Sequence, residues 1–265
     1  MRAVRIDRFD DPRLEDYRNV SDAQLLRGQN LFVAEGRLVV GRLLEDGHGV
    51  VSLLLNDASY QALEASAMRL PDETPVYVCE TGLLAAITGF NLHRGCLAMA
   101  RRPPERAAGD IVDRCDLILV LEGVTDADNV GSVFRNAHAF GAGGVLLSPT
   151  CCDPLYRKSV RTSGGAVLRV PYARVQDWPG SLGELTATGF TLVALTPHSS
   201  APDLASRSRR RPGERIALLV GSEGPGLSAA AQGMCDTSLR IAIRPEVDSL
   251  NLATATGIAL YYLSV

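Results

Sequence analysis

The sequence predicts an α/β protein in two parts, each an alternation of strands and helices. Short apolar runs rich in Val, Leu and Ile, such as LILVL at 117–121 and IALLV at 216–220, alternate with stretches whose apolar residues recur every three or four positions. Residues 101–110 (RRPPERAAGD) set two prolines, charges and a glycine between apolar stretches, which is linker chemistry rather than core chemistry. Polar stretches containing glycine stand where strands hand over to helices, the place where a parallel sheet gathers its ligands. With 46% apolar and 22% charged residues, a 265-residue chain buries a core in one large domain or two smaller ones, and the linker favours two, at 1–105 and 106–265.

Before the linker the order reads helix (21–28), strand (31–33), helix (37–45), strand (50–55), helix (58–69), strand (76–79), a further helix, and strand (96–100). That is a small α/β layer domain of about a hundred residues. After it, DLILVLEG is a buried strand. DNVGSVFRNAHAFG is a helix with Val130, Val133, Phe134, Ala137 and Phe140 on one face, closing on Gly141. The alternation then continues as strand (GGVLLS), helix (PLYRKSVRTS), strand (AVLRVP), helix (SLGELTATG), strand (FTLVALT) and strand (RIALLVG). It ends as helix (PGLSAAAQGM), strand (SLRIAI) and an apolar helix, SLNLATATGIALYYL. Such alternation implies a parallel sheet covered by helices.

Composition narrows the chemistry. The six cysteines form no C-x-x-C pair, and His48, His93, His138 and His198 are scattered without ligand spacing, so buried free thiols and no metal are expected. No apolar run reaches the ~20 residues that span a bilayer, and the N-terminal stretch is charged throughout, so a cytoplasmic protein is expected. A net charge of −3 argues against unspecific coating of nucleic acid but leaves room for local basic patches. Two are visible, Arg101, Arg102 and Arg106 at the linker, and Arg207, Arg209, Arg210 and Arg211 in a Ser/Pro/Gly-flanked loop.

Three stretches at strand ends carry the candidate chemistry: LEGVTDADNVGSVFRNAHAFG, LLVGSEGPGLS and IAIRPEVDSLNLATATGIALYY. Taken singly each has a plain structural reading. Gly221, Gly224 and Gly226 turn a chain, and Asn129 and Ser249 cap helices. Taken together they resemble the three signature motifs of the SpoU-TrmH family of RNA methyltransferases, within the knotted methyltransferase superfamily. Asn129, Gly131 and Arg135 fit the first motif, Gly221 to Gly226 the second, and Ile241 with Ser249, Leu250 and Asn251 the third. Ala242 stands where the family usually has proline. KSVRTSGGAVLRVP resembles an auxiliary segment of the family, so the likeness covers essentially all of 111–265. The N-terminal part resembles, less specifically, the family's substrate-binding domain, related to ribosomal-protein-type RNA-binding folds.

The resemblance implies a trefoil knot in the C-terminal domain, a homodimer, and transfer of a methyl group from S-adenosyl-L-methionine to a ribose 2′-hydroxyl of RNA. Members with such an added N-terminal domain act mostly on rRNA, so rRNA is expected ahead of tRNA. Thr196, Gly221, Ile241 and Leu250 would contact the cofactor. Asn129, Arg135, Ser249 and Asn251 would surround the target nucleotide, with Glu223 as a further catalytic candidate. A guanidinium keeps its proton to about pH 12 or higher, so Arg135 is read as a phosphate clamp that stabilises alkoxide character, with Ser249 or water relaying the proton. Rival readings fare worse. A dinucleotide-binding enzyme would need G-x-G-x-x-G after its first strand, and LEGVTDADNVG lacks it. A non-catalytic RNA-binding protein would not need Asn129, Arg135, Glu223 and the S-L-N triplet together.

Overall fold

The computed structural model describes residues 3–18, 22–88 and 95–264, and the chain within it separates into two compact units. Residue 21, where the first helix is expected to begin, and His93 lie outside the described residues. The first unit takes residues 1–104 together with 155–165, the second 105–154 with 166–265. The single cut at 105/106 therefore misses one return of the chain into the first unit.

The first unit is a mixed five-stranded sheet. Its elements are β1 (Val4–Arg5), a 3₁₀ turn (Pro12–Tyr17), α1 (Asp22–Gln24) running into a π-helical turn (Leu25–Gln29), β2 (Leu31–Glu35), α2 (Arg37–Glu45), β3 (Val50–Asn56), α3 (Asp57–Ala67), β4 (Val76–Cys79), α4 (Thr81–Thr88) and β5 (Cys96–Arg101). The strands lie in the order β1-β4-β3-β5-β2, with β2 and β3 both antiparallel to β5. β1 escapes the sequence reading because two residues in a charged run give no period. The expected helix over 21–28 is instead a short α turn and a π turn, closed by Asn30 in the left-handed region at φ 57°.

Within this unit the segment Leu155–Gly165 is held by charge. Glu35 in β2, only 6% exposed, lies 3.5 Å from Arg161 and 3.8 Å from Arg157 of α7 (Arg157–Thr162). The Asp22 carboxylate accepts the Arg157 backbone N–H at 3.0 Å, and Arg42 donates to the Gly164 carbonyl. A carboxylate buried to this extent is costly unless cations accompany it, so this return of the chain is integral to the unit.

The second unit carries α5 (Ala108–Val112), β6 (Leu117–Glu122), α6 (Ala127–Ala139), β7 (Gly144–Leu147), β8 (Tyr172–Arg174), α8 (Ser181–Ala187), β9 (Thr191–Leu195), β10 (Ile216–Gly221), α9 (Ala229–Gly233), β11 (Thr237–Leu239) and α10 (Leu252–Ser264). Its six strands are all parallel in the order β11-β9-β10-β6-β7-β8. The strand order reverses between β6 and β10, which places the ligand crevice at their carboxyl ends. Ile118, Val120, Leu192, Ala194, Ala217 and Leu219 alternate along three neighbouring strands and form one core with Leu182, Leu185 and Ala231.

Three sequence expectations are corrected. AVLRVP is not a strand. Gly164 and Gly165 turn the chain at positive φ, a 3₁₀ turn follows over Ala166–Leu168, and the strand is Tyr172–Arg174. Ala166, Val167 and Val170 are buried at a spacing that suits a helical turn, not a period of two. SLRIAI is strand only to Leu239, where its partner β9 ends at Leu195, and Arg240 then forms an isolated bridge with Asp203. The final helix begins at Leu252, so Ser249, Leu250 and Asn251 precede it rather than open it.

Candidate functional site

At the carboxyl ends of β9 and β10 lies a cavity of about 330 Å³, within the range of small-molecule sites. Seven of the nine sequence-predicted site residues line it: Thr196, Gly221, Glu223, Ile241, Ser249, Leu250 and Asn251. They come from three separate chain segments. Leu195, Val220 and Ile243 add apolar wall, and Leu252 and Ala255 bring the start of α10 to it. Ala242, the departure from the usual proline, is exposed between two wall residues and is not itself wall. Thr196 is 7% exposed; its backbone N–H donates to the Leu239 carbonyl at 3.0 Å, which joins the end of β9 to β11.

Asn251 ties two of these segments to each other and to α6. Its Nδ2 donates to Asn129 Oδ1 at 3.0 Å and to Glu223 Oε1 at 3.1 Å, while its Oδ1 accepts the N–H groups of Ala253 at 3.0 Å and Thr254 at 3.2 Å. A primary amide offers two donor hydrogens and two lone pairs, so this side chain is fully engaged. Asn251, not Ser249, caps the final helix. Asn129 likewise is no cap: Asp126 caps α6 by accepting the Asn129 N–H at 2.9 Å, and Asn129 sits one turn in, 7% exposed. Ser249 is exposed, and its hydroxyl has no hydrogen-bond partner among the described residues.

The glycine stretch obeys its own geometry. A Cβ on Gly221 would run into the backbone of Gly226 and Leu227, so the loop closes on itself there. Gly226 donates its N–H to the Ser222 carbonyl at 3.0 Å, and Gly224 and Gly226 stand at φ 89° and 71°, where side chains are strained. The need for glycine at 221 is therefore internal to the loop. Sequence reading missed Glu122 at the end of β6, whose carboxylate holds Ser228, the N-cap residue of α9. The Ser-Ala-Ala-Ala run was a signal for the cap, but nothing in the sequence pairs it with a residue 106 positions earlier.

Arg135 and Asn129 are the two predicted site residues that do not line the cavity; Asn129 is joined to it through Asn251, whereas Arg135 is not. Arg135 is exposed on α6 and makes no hydrogen bond or ion pair among the described residues. Six positions from Asn129 on a helix, it stands about 120° round from it, whereas Asn136 faces α10 and donates to the Ala253 carbonyl at 2.7 Å. The arginine loop also differs from a solvated run. Arg207 pairs with Glu214, Arg210 donates to the carbonyls of Leu263 and Glu214, and Arg209 covers the Tyr262 ring at 5.4 Å. These residues precede β10, some 17 Å of strand away from its cavity end. Only Arg209 and Arg211 of the four are exposed. The cysteines are free, and burial pushes the Cys96 thiol up to about 12 and the thiols of Cys79 and Cys235 up to about 11. Thiols held protonated this way are poor nucleophiles. No cluster of metal-ligating side chains occurs among the described residues, and no helix among them is long and apolar enough to cross a membrane.

Comparison with known proteins identifies the family and the fold. The SpoU rRNA Methylase family matches residues 116–261. An uncharacterized tRNA/rRNA methyltransferase of Mycobacterium bovis is 43% identical over 95% of this chain and 88% of its own length. The 23S rRNA (guanosine(2553)-2'-O)-methyltransferase RlmP of Bacillus subtilis is 26% identical over 95% of both chains. Among solved structures, an AdoMet-bound rRNA methyltransferase from Sinorhizobium meliloti superposes with a TM-score of 0.82 at 25% identity, covering 98% of this chain and 97% of that one.

Proposed function

The chain belongs to the SpoU rRNA methylase family, and from that premise we propose that it transfers a methyl group from S-adenosyl-L-methionine to a ribose 2′-hydroxyl of rRNA. The observation that carries this reading is the single cavity wall shared by Thr196, Gly221, Ile241 and Leu250, with the Glu223 carboxylate at its edge. Apolar side chains beside exposed loop backbone suit an adenosine, and an anionic group suits a sulfonium. When bound, the cofactor supplies an electrophilic methyl carbon whose bond to sulfur breaks as the bond to the ribose oxygen forms, leaving a neutral thioether.

The protein's part is to hold that carbon in line with the oxygen and to take up the hydroxyl proton. Thr196, Ile241 and Leu250 form the cofactor wall. Asn251 uses all its hydrogen-bonding capacity internally, which makes it a positioning residue that fixes Asn129 and Glu223 rather than a contact to the nucleotide. Ser249, exposed and unpartnered among the described residues, is the hydroxyl available to receive or relay the proton. Arg135, with its guanidinium uncommitted among the described residues, is assigned to the phosphate next to the target ribose, which must approach α6 from outside. The first unit is assigned to RNA positioning. The trefoil knot and the homodimer implied by family membership belong to the same proposal.

Calorimetric titration with S-adenosyl-L-methionine, together with tritiated methyl transfer into separated rRNA and tRNA, tests it. Saturable cofactor binding and label in rRNA are expected. Label in tRNA alone would redirect the substrate, and cofactor binding without transfer to either would leave an RNA-binding protein that has lost turnover.

A further inference from the structure

The end of β6 carries a carboxylate that the proposed reaction does not use. Glu122 stands directly beside Gly221 in the parallel ladder between β6 and β10. Its Oε2 accepts the Ser228 backbone N–H at 2.8 Å, and its Oε1 accepts the Ser228 hydroxyl at 2.7 Å and the Trp178 indole N–H at 2.6 Å. The loop over 222–227 therefore leaves the sheet next to Glu122 and comes back to its side chain. Both ends of the glycine loop are fixed by one residue.

Between those ends the loop is held by two further hydrogen bonds, from the Gly226 N–H to the Ser222 carbonyl within it and from Asn251 to Glu223. Residues 222–226 are exposed or half-buried, and Gly224 and Gly226 have no side chains to pack. Leu227 alone reaches the core. The Ser228 hydroxyl is oriented from both sides, donating to Glu122 and accepting the Ala231 N–H at 3.1 Å. Hydrogen bonds to an ionised acceptor are about twice as strong as neutral ones, so three donors on one carboxylate form a stiff anchor.

We infer that Glu122 is a positioning residue, setting the conformation of the loop over 222–227 and through it the cavity wall at Gly221, Glu223 and Gly226. The identity of the ligand affected rests on the proposed function; the control of the loop does not. Glu122→Gln keeps size but replaces one acceptor oxygen by an NH₂ group, which must face either Ser228 or Trp178, both donors. Ser228→Ala removes the hydroxyl, and Ser228→Thr restores it.

The test uses the full chain and these three variants. Amide hydrogen exchange without ligand should quicken about tenfold or more over 222–228 in Glu122→Gln and Ser228→Ala, while the amides of α10 keep their rates and Ser228→Thr stays near wild type. The dissociation constant for S-adenosyl-L-methionine should rise about tenfold or more in the first two variants, with turnover at saturating cofactor within about threefold of wild type. Emission of Trp178, the only tryptophan, should shift in Glu122→Gln. Unchanged exchange over 222–228 and an unchanged dissociation constant, with only a lower melting temperature, would reduce Glu122 to a brace and overturn the inference. If the wild-type protein bound no S-adenosyl-L-methionine, the proposed function would fall, while the exchange pattern would still decide the role of Glu122.

Discussion

At position 221 a side chain has no space, because the backbone of Gly226 and Leu227 occupies it. Gly221→Ala should therefore cost about 1–3 kcal/mol, the range for overpacking, read from the denaturant midpoint, and should weaken cofactor binding in the same step. A larger residue there tests the loop and not the adenosine site, so it cannot serve as evidence for ligand contact. Asn251 offers a cleaner separation. Asn251→Ala loses the cap and should cost about 1 kcal/mol. Asn251→Asp keeps an oxygen for Ala253 and Thr254 but sets a carboxylate against Asn129 and Glu223 where the amide donated, so methyl transfer should fall at least as far as in Asn251→Ala although the cap is kept. Equal transfer in Asn251→Asp and wild type would remove the positioning role. Arg135→Ala touches nothing in the fold and should change stability by no more than about 0.5 kcal/mol, yet abolish transfer with cofactor affinity intact. In Arg135→Lys the charge remains and the fork is lost, so near-normal turnover would contradict the phosphate clamp.

Elements show which features a sequence carries and which it hides. The face of α6 was legible because Val130, Val133, Phe134 and Ala137 recur at helical spacing, and all four are buried. The strands β6, β9 and β10 were legible as apolar runs for the same local reason. What stayed hidden depends on distant partners. Nothing near Arg157 or Arg161 reveals that Glu35 pairs with them, and the cap at Asn251 looks in sequence like one at Ser249. The gathering of Thr196, Gly221, Ile241 and Leu250 around one cavity came from family resemblance, and no period or spacing predicted it. The arginine loop hid its internal partners, because they lie in Glu214, Tyr262 and Leu263. That loop has its own test. The Arg211 backbone N–H, followed by the Arg207 side chain, holds the Glu214 carboxyl below its ordinary value of 4.5. A depressed carboxylate contributes stability above its unfolded value, lost as pH falls through the folded one. The melting temperature of wild type should therefore fall more steeply than that of Glu214→Gln below about pH 4.5, and parallel curves would show that the pairing contributes nothing.

On the scale of the whole molecule, the return of 155–165 into the first unit rules out dissecting the protein at the linker. A chain starting near residue 110 would keep Arg157 and Arg161 without Glu35 and would expose Val160. The RNA-positioning role of the first unit is better tested by substitutions in the full chain. An acidic protein with a net charge of −3 holds a polyanion through local cations, and Arg209 and Arg211 are the exposed members of their loop. Changing both to serine should flatten the logarithmic salt dependence of RNA affinity by about one unit for each phosphate left without its cation, and no change would return the loop to a purely structural part. The central claim concerns which atom of RNA receives the methyl group, and alkali reads it directly. A methylated 2′-oxygen cannot attack the neighbouring phosphate, so alkaline hydrolysis leaves that linkage intact as a dinucleotide. The deciding measurement is the distribution of tritium after alkaline hydrolysis of rRNA labelled by this protein from S-adenosyl-L-methionine. The account predicts the label in one alkali-resistant dinucleotide, and label in mononucleotides would contradict it by placing the methyl group on a base.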